Sequence, residues 1–449
     1  MQTLKLVYTD WISDIPLPNC IRPEIFEYYI ENYTPTTSYG EFIHSVENKF
    51  GNQSNVFKND IGLKQIKPTS IKFDKNATDW YYPIEPWGHI MYSVNLDAVH
   101  DFYNIFDLIP DYIIDGVNSN KGKIIINYSH EGWVGDFLLK GLYIGIKNIG
   151  VKFENVIIIL NDYNLETKLE SFKERFNIEN YPKVINYSFY LTASSNHFYH
   201  KYKNTSLKQQ HYLKFKPFKF LCLNRRFDKH RVKLLSEIFY DIKNVSIISF
   251  DKKLVTNEID AMLNSNLELK TKFENLPEKS VADRDDIENT NGYRHESELM
   301  FVDSYISIVT ETSFYNDNDF ISEKIWKPIY QFSPFIVIGR PHMLKYLKEI
   351  GFKTFDFLID ETYDGIDDNE LRMQAIINEI QRLNSLSIYK IDEILKANFS
   401  TLEHNHTLMN TIGANSEIEK YLIEKIKDNN YSYLDLFKTL NLNQYDKFI

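Results

Sequence analysis

From Gly122 onward the chain alternates continuous apolar runs with stretches of helical apolar spacing. Residues 123–127 form a β-rich apolar run, 135–149 space their apolar side chains for a helix, and 155–160 are again continuously apolar. A helical pattern at 165–176 and a run at 184–189 extend the series. Runs that are apolar at every position predict strands buried on both faces, and strands separated by helices predict parallel βαβ units. A polar, Lys-bearing stretch at 192–217 breaks the pattern. Beyond it a second series begins, with strands predicted at 218–223, 245–250, 305–310 and 335–339. Helices are predicted at 228–240, 322–332 and 341–350.

Two α/β halves are therefore expected: an N-terminal Rossmann-like domain at 1–212 and a C-terminal one at 213–390, facing each other across a cleft. A helical extension at 391–449 completes the chain. Residues 12–95 show turn signals and aromatic clusters without a sustained period, and read as a loop-and-helix insertion into the first domain.

Composition narrows the function classes. The 449 residues carry 51 Lys+Arg against 62 Asp+Glu, a net charge of −11 that speaks against nucleic acid as a main partner. No apolar run approaches the roughly 18–20 residues of a membrane span, and the start MQTLKLVYTDW reads as a first strand rather than a signal peptide. Cys20 and Cys222 are too few and too far apart in sequence for a disulfide framework or a Cys-rich metal site, which fits a reducing, cytoplasmic setting.

In paired Rossmann-like domains, ligands lie outside the carboxyl ends of the parallel strands, so chemistry is sought in the residues just past each strand. After 305–310 come Glu311, Thr312 and Ser313, then Asn-Asp-Asn-Asp, then Ser322-Glu323-Lys324, with Lys327 one turn on. Ser322 and Glu323 are ordinary helix-start residues, an N-cap and an acid at the positive end of the dipole. Lys324 and Lys327 oppose the dipole unless an anion sits there, and a phosphate would resolve the conflict. After 218–223 come Asn224, Arg225 and Arg226, then Asp228-Lys229-His230-Arg231 at the next helix start. A solvated face explains any one of these cations. Two cation-bearing strand-to-helix turns together point to a diphosphate, for which Arg is the natural bidentate ligand and Lys a point charge. Neither turn is a GxxxxGK[ST] loop, and no GxGxxG occurs after a predicted strand.

The segment TETSFYNDNDFISEKIWKPIYQFSPFIVIGRP resembles the donor-binding segment of the α-1,3-fucosyltransferases (glycosyltransferase family 10). There an FENS sequence, a spacer, YVTEK, an apolar helix and an apolar strand with Gly-x-Pro succeed one another. Glu311 and Ser313 match the first half and Ser322, Glu323 and Lys324 the second, while LCLNRRFDKHRVKLLSEI is similar to an upstream segment that places Arg231 at a helix start. The likeness spans 218–341. Thr312, Ser322 and Pro328 depart from the pattern, Pro328 by interrupting the helix. It implies a GT-B-like enzyme in which Arg231 and Lys324 bind the nucleotide diphosphate and Glu323 the ribose hydroxyls. The donor would be a nucleotide diphosphate sugar such as GDP-fucose.

An inverting transferase also needs a base for the acceptor hydroxyl. The predicted strand 123–127 runs into Tyr-Ser-His-Glu-Gly-Trp, and the family's proposed base is a Glu in a similar position. Glu131 is the expected base, His130 the reserve, and a plain loop acid the alternative. Trp80, Tyr81, Tyr82 and Trp87 could face a sugar acceptor or lie in the core. Asp317-Asn318-Asp319 spells a metal-binding DxD but falls in the spacer and reads as a solvated turn, so no metal ligand and no cofactor are expected.

The expectation is an inverting, metal-independent glycosyltransferase moving a sugar to a hydroxyl of a glycan or other acceptor. Its rivals are a sugar transferase acting on modified DNA bases, supported only by the Lys-rich stretch 201–219, and a non-catalytic carbohydrate-binding protein of the same fold.

Overall fold

The computed structural model describes residues 5–8, 69–72, 76–84, 106, 109, 111–129, 132, 134–202, 207–224, 227–252, 257–280, 298–414 and 417–440. The chain divides into two compact units: the first runs to Phe189 and takes in Asn415–Leu440, and the second holds Tyr190–Ala414.

Seven strands build the sheet of the first unit: β1 (Lys5–Tyr8), β2 (Thr69–Lys72), β3 (Trp80–Ile84), β4 (Gly122–Asn127), β5 (Val156–Leu160), β6 (Lys183–Asn186) and, late in the chain, β12 (Tyr433–Asp435). All pairs are parallel, in the order β12-β6-β5-β4-β3-β1-β2. Helices α1 (Asp111–Asn118), α2 (Asp136–Asn148) and α3 (Leu165–Arg175) alternate with β3 to β6. Val156, Ile157, Ile158, Ile159 and Leu160 of β5 are all buried, the signature of a strand covered on both faces. Each such side chain contributes about 1.5–3 kcal/mol through burial.

The stretch 12–95, read from sequence as an insertion of loops and helices, supplies two strands of this sheet, β2 and β3. Their four- and five-residue runs, one of them Trp-Tyr-Tyr-Pro-Ile, carry neither alternation nor a β-branched stretch. Trp80, Tyr81 and Tyr82 are buried in the core, which corrects the acceptor-face reading for those three; Trp87 lies outside the described residues. The Trp80 indole lies so close to Gly122 that a β-carbon there would meet the ring at 2.2 Å.

In the second unit, α4 (Phe189–Tyr202) and α5 (Leu207–Leu213) lead to β7 (Phe218–Leu223). Then come α6 (Lys229–Ile242), β8 (Ser246–Asp251), α7 (Asn257–Ser265), α8 (Leu267–Asn275), β9 (Lys279–Ser280), α9 (Glu298–Asp303) and β10 (Ser304–Thr310). The unit ends with α10 (Glu323–Tyr330), β11 (Phe335–Ile338), α11 (Met343–Glu349), α12 (Asn369–Ser385), α13 (Ile388–Ala397) and α14 (Phe399–Ala414). Its sheet has the order β11-β10-β7-β8-β9, parallel apart from the antiparallel β9. Counted from β7, this is the dinucleotide-fold order 3-2-1-4-5, and its topological switch point falls between β7 and β10. β10 is buried at all seven positions. Its hydroxyls are matched: Ser304 Oγ donates to Met300 O at 2.6 Å, and Ser307 pairs with Ser333 at 2.9 Å.

The C-terminal region is helical as expected, with α13, α14, α15 (Glu417–Lys427) and α16 (Leu436–Leu440), but it also carries β12. Among the described residues no helix is long and apolar enough to cross a membrane.

Among the described residues the Lys-rich stretch is not a basic stripe. Lys208 pairs with Glu403, Lys214 with Asp303 at 2.5 Å, and Lys219 Nζ donates to Asn384 O at 2.6 Å. Lys216 is buried, donates to Phe301 O at 2.9 Å and Ser304 O at 2.8 Å, and is pulled down to about 7 by burial.

Candidate functional site

The switch point puts the ends of β7 and β10 side by side, and a buried hydrogen bond joins them: Thr310 Oγ1 donates to Asn224 Oδ1 at 2.7 Å. Asn224 also donates through Nδ2 to Cys222 Sγ at 3.3 Å, and burial pushes that thiol up to about 11. Asn224 thus ties the two strands together where the crevice of such a fold opens.

Helix α6 starts beside it. Asp228 is the N-cap, and the N–H groups of Arg231 and Val232 both return to its carbonyl at 3.0 Å. The apolar positions Val232, Leu235, Phe239 and Ile242 carry the helix across the sheet, so His230 and Arg231 are drawn inward at its first turn. Arg231 Nη2 donates to Thr310 O at 3.1 Å and Glu311 O at 3.3 Å, and Nη1 lies 3.2 Å from Asp228 Oδ2. His230 donates Nε2–H to Glu311 O at 2.9 Å. Burial, with Arg231 beside it, holds His230 down at about 3, so the ring is neutral and its Nδ1 is the acceptor.

Helix α10 opens on the other side of the β10 end. Ser322 caps it, accepting Lys324 N–H at 3.3 Å. Lys324 Nζ donates to Thr312 Oγ1 at 3.2 Å, Ser322 Oγ at 3.0 Å and Glu323 Oε1 at 3.1 Å. Burial raises the pKa of Glu323, but Lys324 and Lys327 outweigh it and hold the carboxyl below its usual range. Burial lowers Lys327 to about 8. The helix has only eight residues, which puts Lys327 in its last turn, where a cation suits the dipole. Only Lys324 opposes the dipole, and Glu323 answers part of its charge; the sequence argument from two opposed cations is corrected to one. Pro328 lies within the helix, which ends two residues later.

Glu311, directly after β10, is fully buried. Burial raises its pKa, while Lys324 and the nearby Ser322 hydroxyl act the other way. Its Oε2 accepts Thr312 N–H at 3.2 Å, the Ser322 hydroxyl approaches the carboxyl, and no hydrogen bond of good geometry reaches the buried Oε1. Ser313 is buried as well. Around one strand end the structure therefore collects Asn224, Arg231, Glu311, Ser322, Glu323 and Lys324, with Lys327 acting through Glu323. Arg231 and Lys324 lie about this strand end, burial disfavours the charge on Glu311, and two helix starts adjoin them, a setting for an anion.

Several contributors have no legible signal in the sequence. Phe314 stacks on His230 at 5.6 Å and carries the Arg372 guanidinium 4.6 Å from its centroid. Arg372, buried in α12, donates to Gly339 O, Ile366 O, Asp367 O, Phe314 O and Asn369 Oδ1, pinning the loops after β10 and β11. Asp319 is buried and accepts from Arg340 Nε at 3.0 Å, which corrects its reading as solvated; Asp317 is exposed. Among the described residues no group of three or more His, Cys, Asp or Glu side chains could hold a metal ion. Glu131, His130, Trp133, Arg225 and Arg226 lie outside the described residues.

No protein-family model matches the chain, and no curated protein matches it by sequence. Among solved structures it is similar to the crystal structure of a UDP-forming alpha,alpha-trehalose-phosphate synthase from Burkholderia xenovorans, at 10% identity and a TM-score of 0.41, covering 91% of this chain and 83% of that chain. A likeness at that TM-score decides nothing about function, and the site is read from its own strand order and residues.

Proposed function

We propose that this chain is a glycosyltransferase of GT-B type that takes a nucleotide diphosphate sugar at the carboxyl ends of β7 and β10. The observation that carries the reading is the placement of Arg231 and Lys324 about one strand end, at the switch point of a 3-2-1-4-5 sheet. In this reading the donor belongs to residues 213–390 and the acceptor chemistry to 1–212. Arg231, Lys324 and the start of α10 stabilise the departing diphosphate, and Glu323 takes the ribose. Transfer is inverting and metal-independent, the second supported by the commitment of Asp319 to Arg340. Fucose from GDP-fucose is the sugar that the fucosyltransferase-like segment favours, and a cytoplasmic setting belongs to the same reading.

Glu131 is proposed as the base that deprotonates the acceptor hydroxyl, with His130 in reserve. Glu131→Gln is expected to keep nucleotide affinity while turnover falls on the order of 10²–10⁴-fold; normal turnover would remove the assignment. The reading as a whole is tested by thermal unfolding with GDP, UDP, CDP and dTDP. A ligand at a hundred times its Kd stabilises by about 2.7 kcal/mol, so one nucleoside diphosphate should raise the melting temperature well above the others. A second reading, a non-catalytic protein that kept the fold, is favoured by the internal bonds of Arg231 to Thr310 O and Glu311 O. It expects no shift with any of the four.

A further inference from the structure

Glu311 has a feature that holding up the fold does not explain. It is the first residue past β10, beside the switch point between β7 and β10, and its carboxyl is fully buried; the Ser322 hydroxyl is near enough to favour its charged form, yet no hydrogen bond of good geometry reaches Oε1. A buried acceptor left unmatched is costly, and an apolar residue of similar shape would avoid the cost. Other groups are held around it. From α10, Lys324 and Ser322 favour its charged form and Glu323 opposes it. From α6, the Nε2–H of His230 and Nη2 of Arg231 both donate to its main-chain carbonyl. From the β11 side, the Gly339 backbone is so near that a β-carbon there would lie 3.4 Å from Glu311 Cβ. Oε1 is thus the less satisfied oxygen of a carboxyl held in a fixed frame and influenced by the start of α10.

We propose that Glu311 is the hydrogen-bonding floor of the diphosphate site, with Oε1 reserved for a phosphate oxygen of the bound ligand. The inference rests on the reading of this crevice as a diphosphate site. Two anionic oxygens make no stable contact without a proton between them. The bound form therefore holds Glu311 as a carboxylic acid whose Oε1–H donates to the phosphate oxygen. The proton is taken from solvent wherever the empty site has lost it, and no other bond forms or breaks. The arrangement selects an anionic oxygen acceptor and ties affinity to proton uptake.

Isothermal titration with the nucleoside diphosphate that stabilises the protein best, and with inorganic pyrophosphate, tests this. Each is run from about pH 5.5 to 8.5 in two buffers of different ionisation enthalpy, on the full chain and on Glu311→Gln. The amide keeps the shape and a donor but cannot titrate. In the unaltered protein, affinity should fall as pH rises, and the heat should depend on buffer, approaching uptake of about one proton per site. Glu311→Gln should bind within about threefold at the acid end and lose the extra proton uptake and the extra pH dependence, while ionisation of the ligand itself appears in both proteins alike. Binding that shows the same uptake and the same pH dependence in both proteins overturns the Glu311 assignment and leaves the site reading intact. A full chain that binds neither probe overturns both.

Discussion

The two sheets end differently at their carboxyl edges. In the first unit the described residues just past β4, β5 and β6 largely satisfy one another. Asn127 Oδ1 accepts the backbone N–H of Ser129 at 3.2 Å and its hydroxyl at 2.8 Å. Asn186 accepts Asp162 N–H at 3.1 Å and donates to Asp435 Oδ2 at 2.8 Å. Asp162 takes Asn164 N–H at 2.9 Å and Lys168 Nζ at 2.5 Å; the Asn161 Nδ2 group alone among these amides is buried without a partner. In the second unit the corresponding edge gathers arginine, lysine and two glutamates, with a carboxyl oxygen left over. Among the described residues one edge is thus mostly a closed polar seam, and the other gathers charged side chains about a buried carboxyl.

Four substitutions can break or sharpen that contrast. Arg231→Met should have the largest effect, because it removes a buried cation from two carbonyls and Asp228: a loss of about 3–5 kcal/mol in urea unfolding, together with the nucleotide response. Full stability with the response lost would show a pure ligand residue, and the reverse a pure clamp. Lys324→Ala, at a partly exposed position, should leave urea unfolding nearly unchanged and cost about 2.7–4 kcal/mol in transition-state stabilisation, read from kcat/KM. Asn186→Ala should do the opposite, destabilising by about 1–3 kcal/mol without altering nucleotide binding; a lost response would show that the seam of the first unit takes part in donor binding. The smallest effect belongs to His230→Asn. His230 sits near 3 when folded, below the ordinary value of about 6.5, so its contribution is present above about 6.5 and is lost as pH falls toward 3. His211, near 3, and His406, near 4, act in the same direction. The variant should therefore only flatten the acid limb of the stability profile.

Legibility in the sequence tracks physical locality. β5 is a continuous apolar run and β10 is rich in β-branched residues, so both can be read directly, as can Ser322 as a cap and the cations at the starts of α6 and α10. β3 escapes because Trp, Tyr and Pro signal core, strand and turn at once, and β12 because three residues among helices give no period. Arg372 is an unremarkable helical arginine in sequence; its acceptors, from Phe314 to Asn369, come together only in the fold. Lys216 and Asp319 defeat sequence reasoning for a related reason: a charge is assumed to be solvated until its distant partners are known. Glu311 is legible as a site residue, but its unmatched oxygen is a property of packing and has no trace in the sequence.

The strand Tyr433–Asp435 pairs with β6 across some two hundred and fifty intervening positions, as the Asn186–Asp435 bond shows. During translation the stretch Tyr190–Ala414 has therefore left the ribosome before Asn415–Leu440, the last part of the first unit, is made. The second unit can mature on the nascent chain while the earlier-made unit still waits for its edge strand, and a premature stop after Ala414 would spare the later-made unit and orphan the first.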